Sequence, residues 1–367
     1  MKRFLLFLIL FVCVLGQRVY ASESTESEEL YDFSDIEKVL GKEEYDLDFE
    51  ETMKQLSTGQ SEGIFLGLFK DFFNTLLGEL IYNKEIIIRI ILLVISLALI
   101  NNLSMVFKNS QISETGFFVI YCMVVTILVS GFMAMSEMIS EVLIMLLDFM
   151  NALIPSLMLA MSFTGAYTSQ GGFCQIILMG IVIVEKLIVV VILPAINIYV
   201  ILMLVNSLVN EDYISKFAGL ISSFVNWFNK TMLAIFTGIN MIQTMILPSV
   251  DEVKIKGFQK VASMVPGGGA VSDVFMGTSN VIKNAIGTTA LIFVVVIVSV
   301  PVLKVMAFSC MYKITTAVIQ PVSDKRVVSA VESVSKGAGL LYRTVIFCAG
   351  LFCITIAIMC IATNSLG

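Results

Sequence analysis

The chain has 367 residues, of which 57% are hydrophobic and 14% charged, whereas a soluble domain carries about 25% charged residues. This composition excludes an ordinary soluble protein and predicts an all-α polytopic membrane protein. The sequence contains no histidine, which excludes histidine-based catalysis and most zinc sites, and its net charge of -6 reflects an acidic N-terminal region.

The N-terminal part divides into three predicted regions ahead of the membrane body. Residues 1–21 have the form of a secretory signal peptide, because Lys2 and Arg3 precede a short apolar core; an uncleaved anchor is the alternative. Either reading exports residues 22–62, which are acidic and predicted to be partly disordered. Residues 63–85 carry apolar side chains at helical spacing and predict an amphipathic helix in the membrane interface.

Residues 86–163 are predicted to hold the first three transmembrane spans. Each apolar run approaches the roughly 20 residues that cross the hydrocarbon core. Glu137 and Glu141 are expected to mark a short turn between the second and third spans. The three spans are predicted at 86–107, 117–134 and 142–163.

Two further membrane units follow. Residues 164–247 contain Pro194 in an apolar run too long for one span, which predicts either one long kinked helix or two short segments. Residues 288–367 form a C-terminal unit with Pro301. The chain is thus predicted to have about seven transmembrane helices, within a range of about six to eight. The two prolines indicate an internal repeat of related membrane units, although any bundle of helical hairpins gives a similar pattern.

Residues 248–287 form a polar and glycine-rich segment between these units. Pro266 and the glycines after it disfavour a regular helix, so we expect an aqueous loop or a re-entrant segment enclosed by protein. Ser272 and Asp273 are predicted to cap a short helix that begins at Val274. That helix would either line a gate or lie on the membrane surface. The candidate motif residues are Pro266, Gly268, Gly269, Ser272, Asp273, Lys283, Asn284 and Gly287.

The side of the membrane on which this segment lies stays open. Five spans before it would place it in the cytoplasm, in agreement with its own lysines. The same count would place Lys325 and Arg326 outside, which disagrees with the usual cytoplasmic excess of basic residues. Splitting the run around Pro194 into two spans would reverse both assignments.

Several polar side chains fall within the apolar runs, where they are costly and often functional. Asp148 and Asn151 are three residues apart and are expected to share a face directed into the bundle. An ion or substrate site is one interpretation, and hydrogen bonding between helices is the other. The intramembrane candidates are Asp148, Asn151, Glu185, Lys186 and Lys304.

The sequence contains no phosphate-binding loop, no dinucleotide-binding glycine motif and no HExxH zinc motif. It also lacks the basic and aromatic pattern typical of nucleic-acid binding. We therefore expect a membrane protein that is not an enzyme, holds no cofactor and contacts lipid rather than nucleic acid.

The glycine-rich segment gives a more specific indication. It resembles the stage III sporulation protein AE family in Pro266, Gly268, Gly269, Ser272, Asp273, Lys283, Asn284 and Gly287. The resemblance covers nearly the full chain, because the signal peptide, exported acidic region, amphipathic helix and multispan body follow the same layout. It implies a multi-pass protein of the mother-cell membrane around the forespore, with its acidic N-terminal region in the intermembrane space.

The resemblance also implies a function. Such a protein would be the permease-like membrane core subunit of a transenvelope channel or secretion-like complex needed for spore development. Its partners would be other stage III sporulation membrane proteins and a complex on the forespore side, and no catalytic residues carry over. The alternative is an autonomous secondary transporter with a substrate site near the membrane midplane. Its site would be built from Asp148, Glu185, Lys186 and Lys304.

Overall fold

The computed structural model describes residues 36–38, 88–92, 95–96, 110–163, 167–208, 214–262, 268–321 and 323–362. Every regular element in these ranges is helical, so the predicted all-α class is confirmed there. The predicted signal peptide and interfacial helix lie outside the described residues, as do nearly all of the acidic region and most of the first predicted span.

Six α-helices form the described body. They are α1 Ser110–Phe163, α2 Tyr167–Leu187, α3 Leu193–Leu208, α4 Ser215–Ala262, α5 Gly268–Ile319 and α6 Lys325–Ala362. Four stretches of the described residues are long and apolar enough to cross a membrane, which confirms the membrane character. The total of about seven spans stays a prediction. The four stretches are Glu114–Leu159, Met179–Leu208, Ala285–Ile319 and Lys325–Ala357.

The second and third predicted spans are one helix, so the predicted turn between them is wrong. α1 continues through Glu137 and Glu141, whose side chains are exposed on its outer face. Glutamate is a good helix former, and a polar residue on an exposed face does not interrupt the backbone hydrogen bonds. At 54 residues α1 is about 80 Å long, well beyond the roughly 30 Å hydrocarbon core, so part of it extends past the lipid.

The apolar run around Pro194 is also a single helical path. A π-helical turn, Ile188–Ile192, joins α2 to α3, and the backbone N–H of Leu193 donates to the carbonyl of Ile188. This wider turn accommodates Pro194, which has no N–H to donate and whose ring crowds the preceding turn. Of the two alternatives, the long interrupted helix is therefore correct. Pro301 lies within α5, so the two prolines of the predicted repeat occupy different local structures.

The expected irregular segment at 248–287 is helical over most of its length. α4 continues to Ala262 and α5 begins at Gly268, six residues before the predicted start at Val274. Gly268 and Gly269 lie in the first turn of α5, where the backbone N–H groups have no intrahelical partner in any case. The low helix propensity of glycine therefore matters less there than in a helix interior.

α6 is the central helix of the described bundle, because it packs against every other α-helix in it. Arg326 near its start lies over the ring of Phe117, and Gly337 lies against Phe132, so α1 runs parallel to α6. α3 runs the opposite way, since Ser207 contacts Ser329 while Val200 contacts Gly337. The buried side chains of all the helices form one continuous apolar core.

The turn from α5 to α6 is held by one acidic residue. Asp324 accepts a hydrogen bond from the backbone N–H of Arg326 at 2.9 Å, which caps the start of α6. The guanidinium of Arg326 also pairs with the Asp324 carboxylate at 3.1 Å and lies 3.5 Å from the ring centroid of Phe117. Burial alone would raise the pKa of Asp324, but the hydrogen bonds and charge of Arg326 outweigh it and lower that pKa.

The close approach of α6 to its neighbours depends on Gly337. A Cβ atom at this position would overlap Cγ2 of Val200 and lie 3.0 Å from Cε2 of Phe132. A Cβ atom on Gly339, also buried, would meet its nearest atom, on Tyr342, at 3.9 Å, which is an ordinary contact. The two glycines thus differ in what surrounds them and share the same helix.

We predict that Gly337→Ala lowers the thermal unfolding temperature of the purified protein in detergent, whereas Gly339→Ala leaves it unchanged or raises it. Both changes improve helix propensity by about 1 kcal/mol, but only the first forces apart a packed interface, at a cost of about 1–3 kcal/mol. Equal unfolding temperatures for the two variants would contradict the packing around Gly337.

For Asp324 we predict that Asp324→Ala destabilises the protein by about 1 kcal/mol at neutral pH, because the cap is lost. Asp324→Asn keeps a good cap and removes only the ion pair, so its effect is smaller, about 0–1 kcal/mol. The pKa of Asp324 is lowered in the folded state, so the ion pair stabilises the protein above the pKa of the unfolded chain. That stabilisation disappears as the pH falls through the folded pKa.

Urea unfolding of the wild type and both variants across acidic and neutral pH measures these differences. A gap between wild type and Asp324→Asn that stays constant from neutral to strongly acidic pH would contradict the assigned ion pair.

Candidate functional site

The five intramembrane candidates are found in different surroundings. Glu185 is buried, with 1% of its side chain exposed. Asp148 and Lys304 are half-buried, whereas Asn151 and Lys186 are exposed. The structure therefore directs one of the five fully into the bundle.

The prediction that Asn151 points into the bundle with Asp148 is wrong. The inward face of α1 at this level is formed by Leu146, Phe149 and Leu153, all of which are completely buried. Asn151 is two residues from both Phe149 and Leu153 and so lies on the other side of the helix. Spacing of three residues placed the two polar side chains near each other but did not fix which of them faces inward.

Glu185 is the centre of the candidate site. Both of its carboxyl oxygens are buried, and neither makes a hydrogen bond to any described residue. Asp148 on α1 and the thiol of Cys348 on α6 are within electrostatic range of Glu185. Glu185 itself lies on α2, three residues before the π-helical turn.

Three hydroxyl side chains on different sides of α6 form the second polar feature of the core. Ser329, Ser335 and Thr344 each hydrogen bond to a different helix. Such bonds between small polar side chains stabilise helix contacts in lipid, where the hydrophobic effect between helices is absent. Their partners are Ser207 of α3 at 3.1 Å, Ser309 of α5 at 3.2 Å and Asn229 of α4 at 2.9 Å.

Sequence reasoning missed these contacts, although a signal exists for one of them. Ser329, Ser333 and Gly337 are spaced four residues apart, which is the small-residue pattern that lets membrane helices approach closely. The predicted candidates were instead the charged residues, which stand out more clearly against an apolar background.

The glycine-rich motif lies along the first part of α5. Ser272 and Asp273 follow the helix start at Gly268 by four and five residues, so the predicted cap at Val274 is wrong. Gly287 is buried, and Pro266 lies outside the described residues. The helix also carries Gly269, Lys283 and Asn284.

Comparison with known proteins gives two matches. A family model described as Stage III sporulation protein AE matches residues 47–363. A relative named Stage III sporulation protein AE from Bacillus subtilis (strain 168) is 21% identical over 300 residues, which is 80% of this chain and 75% of the relative. No solved structure matches the chain.

Proposed function

Because the chain belongs to the stage III sporulation protein AE family and so has a role in sporulation, we propose that it is the membrane core subunit of a transenvelope channel or secretion-like complex. The complex would join the mother cell to the forespore, and this subunit would act without catalysing a reaction. Its partners would be other stage III sporulation membrane proteins and a complex on the forespore side.

The uneven burial of the membrane helices supports this proposal. In the 18-residue apolar window of the spans Ala285–Ile319 and Lys325–Ala357, 67% of the residues are buried, against 33% in Glu114–Leu159 and 39% in Met179–Leu208. α5 and α6 therefore form an internal hairpin, and α1 and α2–α3 present apolar surface outward. This arrangement suits a core subunit whose outer helices meet lipid and neighbouring subunits.

The continuity of α1 changes the expected topology. With residue 22 exported and one span at 86–107, α1 begins in the cytoplasm and the turn between α5 and α6 lies there too. The connection between α4 and α5 would then lie on the exported side, which is one of the two assignments that the sequence left open. The basic residues near the membrane ends do not decide between the two sides, because their numbers are similar. Near the cytoplasmic ends lie Lys108, Lys216, Lys313, Lys325, Arg326 and Lys336, and near the exported ends lie Lys70, Lys84, Arg89, Lys254, Lys256, Lys260 and Lys283.

We further propose that the chain lies in the mother-cell membrane around the forespore, as the family resemblance implies. The acidic region at 22–62 and the start of α5 would both lie in the intermembrane space, where a forespore-side complex is within reach. The glycine-rich motif would then be a contact or gate on that side.

A secondary transporter is the second candidate, and one observation favours it. Glu185 lies buried beside a π-helical turn and Pro194, and interrupted helices with ionisable groups are typical of transporter sites. A transporter would function as an isolated chain, whereas a core subunit would not.

We predict that the tagged full-length chain, isolated from sporulating cells in mild detergent, brings other stage III sporulation membrane proteins with it. Mass spectrometry of the isolated material identifies them. Recovery of the chain alone, from cells that sporulate normally, would contradict the core-subunit proposal and favour the transporter.

Spore yield tests the glycine-rich motif. Asp273→Ala, or Gly268 and Gly269 both changed to Val, should leave the chain in the membrane fraction but lower the yield of heat-resistant spores towards that of a deletion strain. Glu114→Ala, at an exposed position at the start of α1, is the control and should sporulate normally. Normal spore yields from the motif variants would remove the motif from the functional account.

A further inference from the structure

Over the residues whose burial the structure describes, α6 exposes charged side chains and no apolar ones. Four residues of this helix are exposed there, and all four are charged. Their spacings of seven, four and seven residues place them on one face of the helix, which we call the charged face. It extends for about 27 Å along the axis, close to the roughly 30 Å thickness of the hydrocarbon core. The four residues are Lys325, Glu332, Lys336 and Arg343.

At the same level of the bundle, α1 and α3 expose large apolar side chains. Arg326 lies over the ring of Phe117 of α1. Gly337 lies against Phe132 of α1 and Val200 of α3. These contacts align both helices with the charged face, so one level of the bundle is apolar on α1 and α3 and charged on α6. The exposed apolar residues beside these contacts are Phe118, Met123, Met133, Ile201 and Val205.

Lipid on every side of the bundle does not suit both kinds of surface. Apolar side chains are stable against hydrocarbon, whereas charged side chains within a membrane almost always face the protein interior or a water-filled cavity. Lys336 pairs with Glu332 at 2.9 Å, which neutralises one basic residue of the charged face. Arg343 is exposed as well. The charged face therefore requires water or polar groups beside it.

Two neighbouring helices flank the charged face. Ser335, the residue before Lys336, is hydrogen bonded to α5 at 3.2 Å. Thr344, the residue after Arg343, accepts a hydrogen bond from α4 at 2.9 Å. A step of one residue turns a helix by about 100°, and the two steps are in opposite directions. The charged face consequently lies between α4 and α5.

Both flanking helices add positive charge close to their contacts with α6. Lys313 of α5 lies four residues after Ser309, which contacts α6, and it is exposed. Lys230 of α4 directly follows Asn229, which contacts α6, and it is also exposed. Because the ion pair on α6 is neutral, the remaining side chains of this region are basic.

We propose that the charged face of α6 lines a water-filled cleft between α4 and α5 at the depth of the lipid, and that this cleft admits small anionic solutes in preference to cations. Water in the cleft hydrates the charged side chains. Their excess positive charge raises the local concentration of anions. The proposal concerns this chain alone and does not rest on its membership of a channel complex.

Cysteine labelling in membranes tests the cleft. The full-length chain, with its native cysteines replaced by alanine, is produced in sporulating cells, and open membrane fragments expose both surfaces to a membrane-impermeant maleimide. We expect Lys336→Cys and Arg343→Cys to react at least about tenfold faster than Met133→Cys and Ile201→Cys, because a thiol in lipid is not ionised and does not meet the reagent. The two control positions are exposed at the same level of the bundle, so the comparison separates water from lipid.

Each variant is first checked for its presence in the membrane fraction. If the chain without native cysteines does not insert, the same four substitutions are made in the native chain. The labelling of the native chain itself is then subtracted.

The charge preference is measured at Arg343→Cys with thiosulfonate reagents of similar size and opposite charge, after correction for their rates with a free thiol in solution. We expect the anionic reagent to react faster than the cationic one, and high salt to reduce the difference. Adding Glu332→Gln should increase the preference for the anion, and adding Lys336→Gln should decrease it. These two changes alter the charge of the face by one unit in opposite directions.

Three results would overturn the proposal. Equal labelling of the charged-face and control positions would place this whole level outside the lipid. Charged-face positions that react in detergent but not in membranes would show that lipid or a partner protein covers the face. Equal rates for the two thiosulfonate reagents, or a faster cationic one, would exclude a cleft that prefers anions. None of these outcomes depends on whether the protein belongs to a channel complex.

Discussion

The close packing of α6 against all its neighbours is the constraint on which the rest of the described structure depends. In lipid the hydrophobic effect does not drive helices together, so contact surface and hydrogen bonds between helices must do so. Gly337 removes the side chain at the tightest contact. Ser329 shares one hydrogen bond with α3 and Thr344 shares one with α4, whereas Ser335 and Ser309 of α5 are joined through both their hydroxyl groups and their backbone carbonyls. The outer helices can remain partly exposed because α6 already joins them.

The length of the helices follows from the same packing. α1 and α5 have 54 and 52 residues, so each is more than twice as long as the hydrocarbon core is thick. Over the residues whose burial the structure describes, both keep a buried face, and the rings of Phe149 and Phe293 stack between them. Continuous burial on one side makes a break unnecessary, even where exposed glutamates lie on the other side.

The sequence was sufficient to predict the membrane class, the family and the interruption near Pro194. Average hydropathy determines the membrane class and the missing proline N–H determines the interruption, without knowledge of the neighbouring helices. The family followed from the glycine-rich segment and the layout of the chain. The turn at Glu137 and the loop before Val274 were wrong because they were inferred from local polarity and glycine content, which tertiary packing overrides. From the sequence, Glu185 was one of five candidate residues. Which of the five is buried depends on the helices that pack around it.

The most direct test of the central claim is disulfide formation between α5 and α6. In a chain without its native cysteines, Ser309→Cys and Ser335→Cys place two thiols where hydroxyl oxygens are 3.2 Å apart. We expect this pair to form a disulfide on mild oxidation in membranes, measured as loss of thiol labelling, whereas Lys313→Cys with Ser335→Cys does not, because Lys313 is exposed. Failure of the first pair to link, or equal linking by both pairs, would contradict the packing of α6 described above.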